Sequence, residues 1–293
     1  DAPVYLLDHP AFSGRDGIYG NHDEEFFFDN AKRFALLSRA SFALSRALDW
    51  YPDVLHSHDW PTALVPVYLR SLESELHERG AISVFTIHNI GYQGIFSPHD
   101  LHYTRLRRRD LCPESGTEME QLNFLAAAVL CADFISTVSP QYAREIQTEE
   151  YGHGLEALLS RRKEDLFGIL NGIDTDVWNP AADSFIPRPF SPNDLAGKLE
   201  ARKKLLALTG LNPDDGTAVV GIVSRLVEQK GFRELCGPGE ESLERILATL
   251  PCRIVVLGTG EKWCEEALLG LTESHRNLSV TIGFDEALAH LIE

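Results

Sequence analysis

The chain has 293 residues, of which 44% are hydrophobic and 24% are charged, a globular composition long enough for two domains with separate cores. Its 44 acidic and 27 basic residues give a formal net charge of −17, which makes nucleic acid and anionic membranes poor general partners. An anionic ligand would therefore need a local cluster of cations.

The cysteines and the two ends of the chain carry further expectations. Cys112, Cys131, Cys236, Cys252 and Cys264 are an odd number without CxxC spacing, which is typical of a reducing cytoplasm and argues against a disulfide framework or zinc cluster. Each is expected to be a small buried apolar side chain. No apolar run is long enough to span a bilayer. Because the sequence starts abruptly in PVYLL without an initiator Met and stops inside a predicted helix, we expect it to be cut at both ends.

Short β-branched runs alternate with longer amphipathic stretches along the chain. The predicted strands are 3–7, 53–57, 83–87, 134–138, 167–170, 218–223, 253–257 and 278–282. The predicted helices are 29–47, 62–79, 123–131, 140–148, 195–209, 241–250, 262–274 and one from about 285. Short apolar strands separated by helices predict parallel sheets covered on both faces, which is an α/β fold of the doubly wound type.

A segment rich in Pro, Asp and Asn, DTDVWNPAADSFIPRPFSPND at 174–194, separates the two halves of this pattern. We therefore predict an N-terminal lobe at 1–170, a hinge or connector at 171–215 and a second lobe at 216–293. The sequence has no internal repeat and no low-complexity tract.

Open α/β sheets bind ligands beyond the carboxyl ends of their strands, so the segments that follow each strand are candidates for function. The relevant residues after predicted strands are His58, Asp59, Trp60, His88, Asn89, Asn171, Arg225, Lys230, Gly258 and Phe284. Because both lobes present such an edge, the sequence predicts one cleft between them.

Several of these patterns have ordinary structural interpretations. His56, His58 and Asp59 have metal-ligand spacing, but further carboxylates are not evident, so a metal site is disfavoured. His88 alone fits a hydrogen-bonded structural histidine as well as a functional one. GTGE at 258–261 lacks the third glycine of a dinucleotide fingerprint, and RLRRR at 105–109 reads as a solvated run of charge.

Arg225 and Lys230 follow an apolar strand in GIVSRLVEQKGF, at 221–232. An exposed ion pair contributes roughly 0–1 kcal/mol. A cation about 4 Å from a phosphate, at an effective dielectric of ~20, gains about 4 kcal/mol before desolvation. Arginine can bind phosphate oxygens with two hydrogen bonds, while lysine acts as a point charge. The spacing fits either a diphosphate clamp without a metal or an ordinary exposed loop.

An ordered set of motifs carries a family resemblance over nearly the whole chain. The segments are DNAKRFALLSRA (29–40), PDVLHSHDWPTALVPVYL (52–69), SVFTIHNIGYQGIF (83–96), ADFISTVSPQYAREI (132–146), GILNGIDTDVWNP (168–180) and VSRLVEQKGF (223–232). Together they resemble the bacterial glycogen synthase and plant starch synthase family. The resemblance implies a glycosyltransferase B-type fold of two Rossmann-like lobes, each incomplete in this chain. It also implies transfer of glucose, with retention, from a nucleotide sugar such as ADP-glucose to the non-reducing end of an α-1,4-glucan.

The resemblance also implies roles for individual residues. The implied catalytic residues are His88, Asp59, Arg225 and Lys230. The implied donor-binding residues are Arg225, Lys230, Asn171, Gly258 and Phe284, and those at the acceptor or transferred glucose are His88, Asp59 and Tyr19. ADP-glucose would be a co-substrate, and neither a metal nor another cofactor is implied. The location implied is the cytoplasm, or a plastid in a plant.

Three departures from the family pattern matter for activity. A K-x-GGL loop and a glutamate-bearing S-R-x-E-P-C-G-like segment are absent, and FRELCGPG at 232–239 interrupts what is usually a smooth helix. We therefore expect the chain alone to be weakly active or inactive. The alternatives are a nucleotide-sugar epimerase of the same fold and a non-catalytic glucan-binding homologue.

Overall fold

The computed structural model describes residues 3–21, 26–111, 121–211, 215–239 and 242–293. The chain divides into two compact units, called unit 1 (Asp1–Gly172) and unit 2 (Ile173–Glu293). The three-part division predicted from the sequence, with a separate connector at 171–215, stays a prediction. Cys112, expected to be buried, lies outside the described residues; Cys131 and Cys264 are buried, whereas Cys236 and Cys252 are half-buried.

Unit 1 alternates strands and helices along its described residues. In chain order they are α1 (Asn30–Ala47), β1 (Val54–His58), α2 (Asp59–Thr62), α3 (Leu64–Arg70), α4 (Ser74–Glu78), β2 (Ile82–Ile87), β3 (Ile95–Phe96), α5 (Leu101–Thr104), α6 (Arg108–Leu111), β4 (Leu122–Asn123), α7 (Phe124–Cys131), β5 (Phe134–Thr137), α8 (Pro140–Glu145), α9 (Glu156–Arg161) and β6 (Leu166–Gly168). Short 3₁₀ turns lie at Pro98–Asp100 and Lys163–Asp165.

The main sheet of unit 1 is parallel, with the strand order β1-β2-β5-β6, and β3 pairs with β4 in a separate antiparallel ladder. Phe85, Ile87 and Ile135 on the central strands have no exposed surface, and they belong to one core with apolar residues of α1, α3 and α7. Strands buried in this way need apolar side chains at most positions, which explains their short β-branched runs. The predicted α/β architecture is confirmed.

Arg33 on α1 fixes the segment that precedes the helix. Its side chain is buried, and its guanidinium donates to the carbonyl oxygens of Ala11 (2.9 Å) and Ile18 (2.8 Å) and to Oδ1 of Asn30 (2.6 Å). A buried guanidinium without such acceptors would be costly. The segment that contains Tyr19 is therefore held against the helix by hydrogen bonds.

Unit 2 contains α10 (Ala196–Leu208), β7 (Ala218–Val223), α11 (Phe232–Cys236), α12 (Leu243–Thr249), β8 (Cys252–Gly258), α13 (Lys262–Ser274), β9 (Leu278–Ile282) and α14 (Glu286–Ile292). Its sheet is parallel with the order β7-β8-β9. Val255 and Leu257 of β8 pack with α10 and α14, whereas Ile254 and Val256 pack with α11, α12 and α13. Alternate residues of a strand face opposite sides, so both faces of the central strand β8 are covered.

The segment after Ile173 is anchored within unit 2 through α14. The buried Asp183 and His290 side chains are joined by a hydrogen bond of 2.7 Å between Oδ2 and Nδ1. Trp178 stacks on the His290 ring at 4.0 Å with an interplanar angle of 3°. The carboxylate–imidazole bond and the ring stack together fix this Pro-rich segment without regular secondary structure.

Two predicted elements are wrong. Residues 3–9 form no strand, and Val4 and Leu6 are 82% and 90% exposed, because an apolar run becomes a strand only where a neighbour accepts its backbone hydrogen bonds. The helix predicted at 62–79 is divided among α2, α3 and α4, since the chain turns after Arg70 and the Glu73 amide bonds back to the Tyr68 carbonyl oxygen. The other seven predicted strands lie within two residues of observed ones.

Gly258 allows the ends of β7 and β8 to approach closely. A Cβ atom at this position would lie 1.9 Å from the carbonyl oxygen of Ser224, which no real Cβ contact tolerates. Because the obstructing atom belongs to the backbone, any side chain at 258 must push the two strand ends apart. Gly270 on α13 gives a matched contrast, since a Cβ there would have no neighbour within 4 Å.

We predict that Gly258→Ala destabilises the β7–β8 ladder by about 1–3 kcal/mol, the usual cost of overpacking. Gly270→Ala should instead stabilise α13 by up to about 1 kcal/mol, because alanine favours helix interiors. Hydrogen exchange of the β7 and β8 amides measures both changes. Unchanged exchange in Gly258→Ala would show that the strand ends do not need the close approach.

Candidate active site

Asp59 joins the ends of β1 and β2 in unit 1. Its Oδ1 accepts hydrogen bonds from the backbone amides of His88 (2.8 Å) and Asn89 (3.3 Å). Asp59 itself has a φ of 52°, in the left-handed region that Asp adopts more readily than most residues. The carboxylate thus fixes the backbone directly after β2 and with it the position of His88.

Three imidazoles lie beside this contact. Nδ1 of His58 and Nε2 of His88 are 3.0 Å apart, and Nε2 of His56 lies 2.7 Å from Oγ1 of Thr86. The His56 and His58 ring centroids are 4.2 Å apart. Burial, and then the neighbouring imidazoles, lower the pKa values of His56 and His58, while the Asp59 charge partly opposes this for His58. These two rings are therefore neutral near pH 7.

Tyr19 lies at the same edge of the sheet. Its ring is 5.4 Å from that of the buried Trp60 and 5.8 Å from that of Phe34, while 44% of the residue remains exposed. Burial and the nearby Asp59 charge raise the pKa of the Tyr19 hydroxyl. The structure therefore brings together Tyr19, Asp59 and His88, the three residues predicted to bind glucose or glucan.

Gln93 of the YQG motif ties the segment after β2 to its surroundings. The nearly buried amide donates to the His153 carbonyl oxygen (2.9 Å) and accepts from the Asn123 side chain (2.5 Å). The hydroxyl of Tyr142, in the TVSPQYA motif, accepts from the Ile90 amide at 3.0 Å. Two motif residues thus act as supports for the loop that carries His88.

Asn171 lies after β6 and is exposed at the end of unit 1. The Ile169 amide still bonds to the Thr137 carbonyl oxygen at 2.8 Å, so the backbone is fixed up to two residues before Asn171. The contacts of unit 1 do not join Asn171 to the cluster of His88, Asp59 and Tyr19 in any hydrogen bond among the described residues.

Arg225 and Lys230 follow β7 in unit 2, and both are exposed. Lys230 ends the 3₁₀ turn Glu228–Lys230, and Gly231 then reverses the chain with a φ of 82°. Within the described ranges, neither the Arg225 nor the Lys230 side chain forms an ion pair or a hydrogen bond, whereas the nearby Arg233 pairs with Glu228 at 2.7 Å. These two cations are therefore available to an anion.

Gly258 ends β8, and Phe284 follows β9. The Gly283 amide donates to the Gly258 carbonyl oxygen at 2.9 Å, and Phe284 is 90% exposed. Glu265 of α13 accepts from the Gly260 amide (2.9 Å) and from the Thr259 hydroxyl (2.7 Å). The ends of β7, β8 and β9 thus form one edge that presents Arg225, Gly258 and Phe284.

The described part of the chain offers neither a metal site nor a membrane-spanning helix. No three of its His, Cys, Asp and Glu side chains are arranged to hold a metal ion. None of the helices found there is both long and apolar enough to cross a membrane.

Sequence reasoning missed the supporting residues of both edges. His58 was predicted as one of the polar residues after a strand and as a disfavoured metal ligand, and Gln93 and Glu265 were given no role. The alternation of His56 and His58 at the end of the predicted strand 53–57 was the available signal, since alternate residues of a strand share a face. The partners of Gln93 and Glu265 depend on tertiary contacts that have no local pattern.

Comparison with known proteins agrees with these observations. Residues 1–161 match the family model of the starch synthase catalytic domain. The chain is 43% identical to a glycogen synthase of Treponema denticola, covering 99% of this chain and 59% of that protein. It is also 43% identical to a glycogen synthase of Anaeromyxobacter sp. (strain Fw109-5), covering 100% of this chain and 61% of that protein.

A solved structure gives the same result for the fold. The catalytic domain of starch synthase IV from Arabidopsis thaliana, bound to ADP and acarbose, has a TM-score of 0.84 and 33% identity over 97% of this chain and 57% of that chain. The predicted glycosyltransferase B fold is thereby confirmed. With a family model that covers more than half of its residues, the chain belongs to the starch synthase catalytic domain family.

Proposed function

We propose that this chain acts in glucosyl transfer, moving glucose with retention from ADP-glucose to the non-reducing end of an α-1,4-glucan. The observation that carries the proposal is the pair of cations after β7, exposed and without an ion-pair partner in the described ranges, on a chain of net charge −17. Two such cations fit a diphosphate, and fixed cations stabilise charge that develops on a leaving group.

The donor and the acceptor are proposed from the relatives. Two of them are glycogen synthases, and the Arabidopsis starch synthase structure contains ADP and acarbose. The chain spans 59% and 61% of the length of those two relatives, so the activity of a whole protein is carried over as part of this proposal.

The proposed reaction breaks the bond between the anomeric carbon and the diphosphate oxygen. The acceptor hydroxyl forms the new bond on the face from which the diphosphate departs, and a phosphate oxygen of the leaving ADP takes the hydroxyl proton. Arg225 and Lys230 stabilise the negative charge that builds on the departing phosphate. Asn171, Gly258 and Phe284 are proposed as further donor contacts.

Residues of unit 1 are proposed to bind the sugars. His88 faces the transferred glucose, and Tyr19 offers an exposed ring edge to the glucose or glucan. Asp59 contributes by holding the backbone of His88 and Asn89, since its Oδ1 accepts both amides. The epimerase alternative requires a carboxylate placed for proton transfer at a sugar carbon. Because the Asp59 carboxylate accepts two backbone amides, it gives no support to that alternative.

A cytoplasmic location, or a plastid in a plant, is part of the proposal. Cys131, Cys236, Cys252 and Cys264 are all free thiols, which is the state expected in a reducing compartment.

Turnover separates the three candidate functions. We predict that the full-length protein, given ADP-glucose and a maltooligosaccharide, releases ADP and lengthens the oligosaccharide by glucose units. Ion chromatography for ADP and mass spectrometry for chain length measure the two products. An epimerase would instead isomerise the sugar nucleotide, and a glucan-binding homologue would bind the oligosaccharide without releasing ADP; either result contradicts the proposal.

Removal of one cation tests the diphosphate site directly. Arg225→Ala should weaken ADP binding at least about tenfold, equal to about 1.4 kcal/mol, because it removes a bidentate charge contact. Lys230→Ala should weaken it as well. Calorimetric titration of ADP into the chain measures the affinities.

Arg233→Ala is the matched control, since Arg233 is an exposed arginine eight residues later that already pairs with Glu228. Its ADP affinity should stay within about twofold of the parent value, as expected for an exposed ion pair. Equal losses in Arg225→Ala and Arg233→Ala would indicate a diffuse charge effect and not a diphosphate clamp.

A further inference from the structure

Polar side chains form two rows on one face of the unit 1 sheet, near the carboxyl ends of its strands. In the inner row, Nε2 of His56 bonds to Oγ1 of Thr86, which bonds to Oγ of Ser136 at 2.6 Å. In the outer row, Nδ1 of His58 bonds to Nε2 of His88. Because alternate residues of a strand share a face, β1 supplies one histidine to each row.

The contact between His58 and His88 in the outer row requires a particular arrangement of protons on the two rings. Two imidazole nitrogens 3.0 Å apart form a hydrogen bond only when one of them carries a proton and the other does not. A neutral imidazole has one N–H, so the tautomer of His88 and the tautomer of His58 are set together. If His58 donates from Nδ1, His88 must carry its own proton on Nδ1; if His88 donates from Nε2, its Nδ1 is an acceptor.

The groups around His58 favour its neutral form, which can take part in the hydrogen bond to His88. The ionisable groups around His58 are His56 on β1, Asp59 directly after β1 and His88 after β2, while β5 presents the uncharged Ser136. Burial and the two neighbouring imidazoles disfavour a charge on His58, and only Asp59 favours one. Protonation of both rings would make both facing nitrogens donors and would break the bond.

We propose that His58 is a positioning residue for His88, fixing the tautomer and the ring orientation through the Nδ1–Nε2 hydrogen bond. The inference rests on the proposed function in one respect, namely that His88 faces the transferred glucose. With Nε2 held by His58, Nδ1 is the nitrogen that His88 can offer to a sugar hydroxyl. A partner that holds the other nitrogen is a common way to orient a functional imidazole.

Nuclear magnetic resonance of histidine ring nitrogens tests the pair without requiring turnover. In the ¹⁵N-histidine-labelled chain at pH 7, we expect His88, assigned by the loss of its signals in His88→Gln, to show one tautomer. His58→Ala should give a mixture of both tautomers for His88. His58→Asn should restore one tautomer, because its amide places a polar atom where Nδ1 lies.

His99→Ala is the control, since His99 is an exposed histidine in the separate turn Pro98–Asp100. It should leave the His88 signals unchanged. If His58→Ala fails to fold, His58→Asn and the parent still decide the matter: a tautomer mixture for His88 in the parent chain overturns the proposal. An unchanged single tautomer in a folded His58→Ala variant overturns it as well.

Turnover in the full-length protein connects the pair to catalysis. His58→Ala should lower kcat roughly tenfold to hundredfold, the range seen when a group that orients a functional histidine is removed. The ADP affinity should stay unchanged, and His58→Asn should recover much of kcat. A normal kcat beside a lost tautomer overturns this inference alone, whereas failure of the parent protein to transfer glucose overturns the proposed function and leaves the tautomer measurement to decide the pair.

Discussion

The two hydrogen bonds from the His88 and Asn89 amides to the Asp59 carboxylate determine the geometry of the unit 1 edge. They join the ends of two neighbouring parallel strands, where backbone amides would otherwise lack partners. Asp59 adopts a left-handed conformation to accept them, and a charge-assisted hydrogen bond is strong enough to offset such local strain. Because His88 is fixed at its backbone, its ring can meet His58. Further along the same segment, the Ile90 amide donates to the Tyr142 hydroxyl and the Gln93 side chain donates to the His153 carbonyl oxygen.

In unit 2, close packing of the backbone fixes the positions of the residues at the sheet edge. At Gly258 the missing side chain lets the backbone at the end of β8 approach that of Ser224, directly before Arg225. Glu265 then holds the Thr259–Gly260 segment from α13 through two hydrogen bonds. The cation is therefore placed by backbone packing, so its guanidinium is not needed to hold the fold. A charged group that has no structural partner is the kind that a ligand can use.

The strands were predictable because parallel, buried strands require apolar residues at most positions, and that requirement is visible in any single segment. The rule that ligands bind beyond strand ends predicted His88, Asp59 and Arg225 as candidates, and the structure places them after β2, β1 and β7. Their partners were not predictable, since the His58–His88 bond depends on β1 lying beside β2, and the failed strand at 3–7 shows that an apolar run does not reveal its neighbours. The family resemblance implied a donor-binding role for Gly258, whereas its close approach to Ser224 could only be seen in three dimensions.

The two edges differ in charge in a way that suits the proposed chemistry. In unit 2 the edge carries two cations, which favour a diphosphate and the negative charge that develops on it. In unit 1 the edge carries imidazoles, and burial and mutual repulsion lower the pKa values of His56 and His58, so these rings stay neutral. A sugar ring that loses its diphosphate gains positive character, which an imidazolium beside it would oppose and a neutral imidazole would not. The lowered pKa values of His56 and His58 suit the proposed glucose site, because in the proposed reaction a cation there would oppose the positive character of the sugar ring.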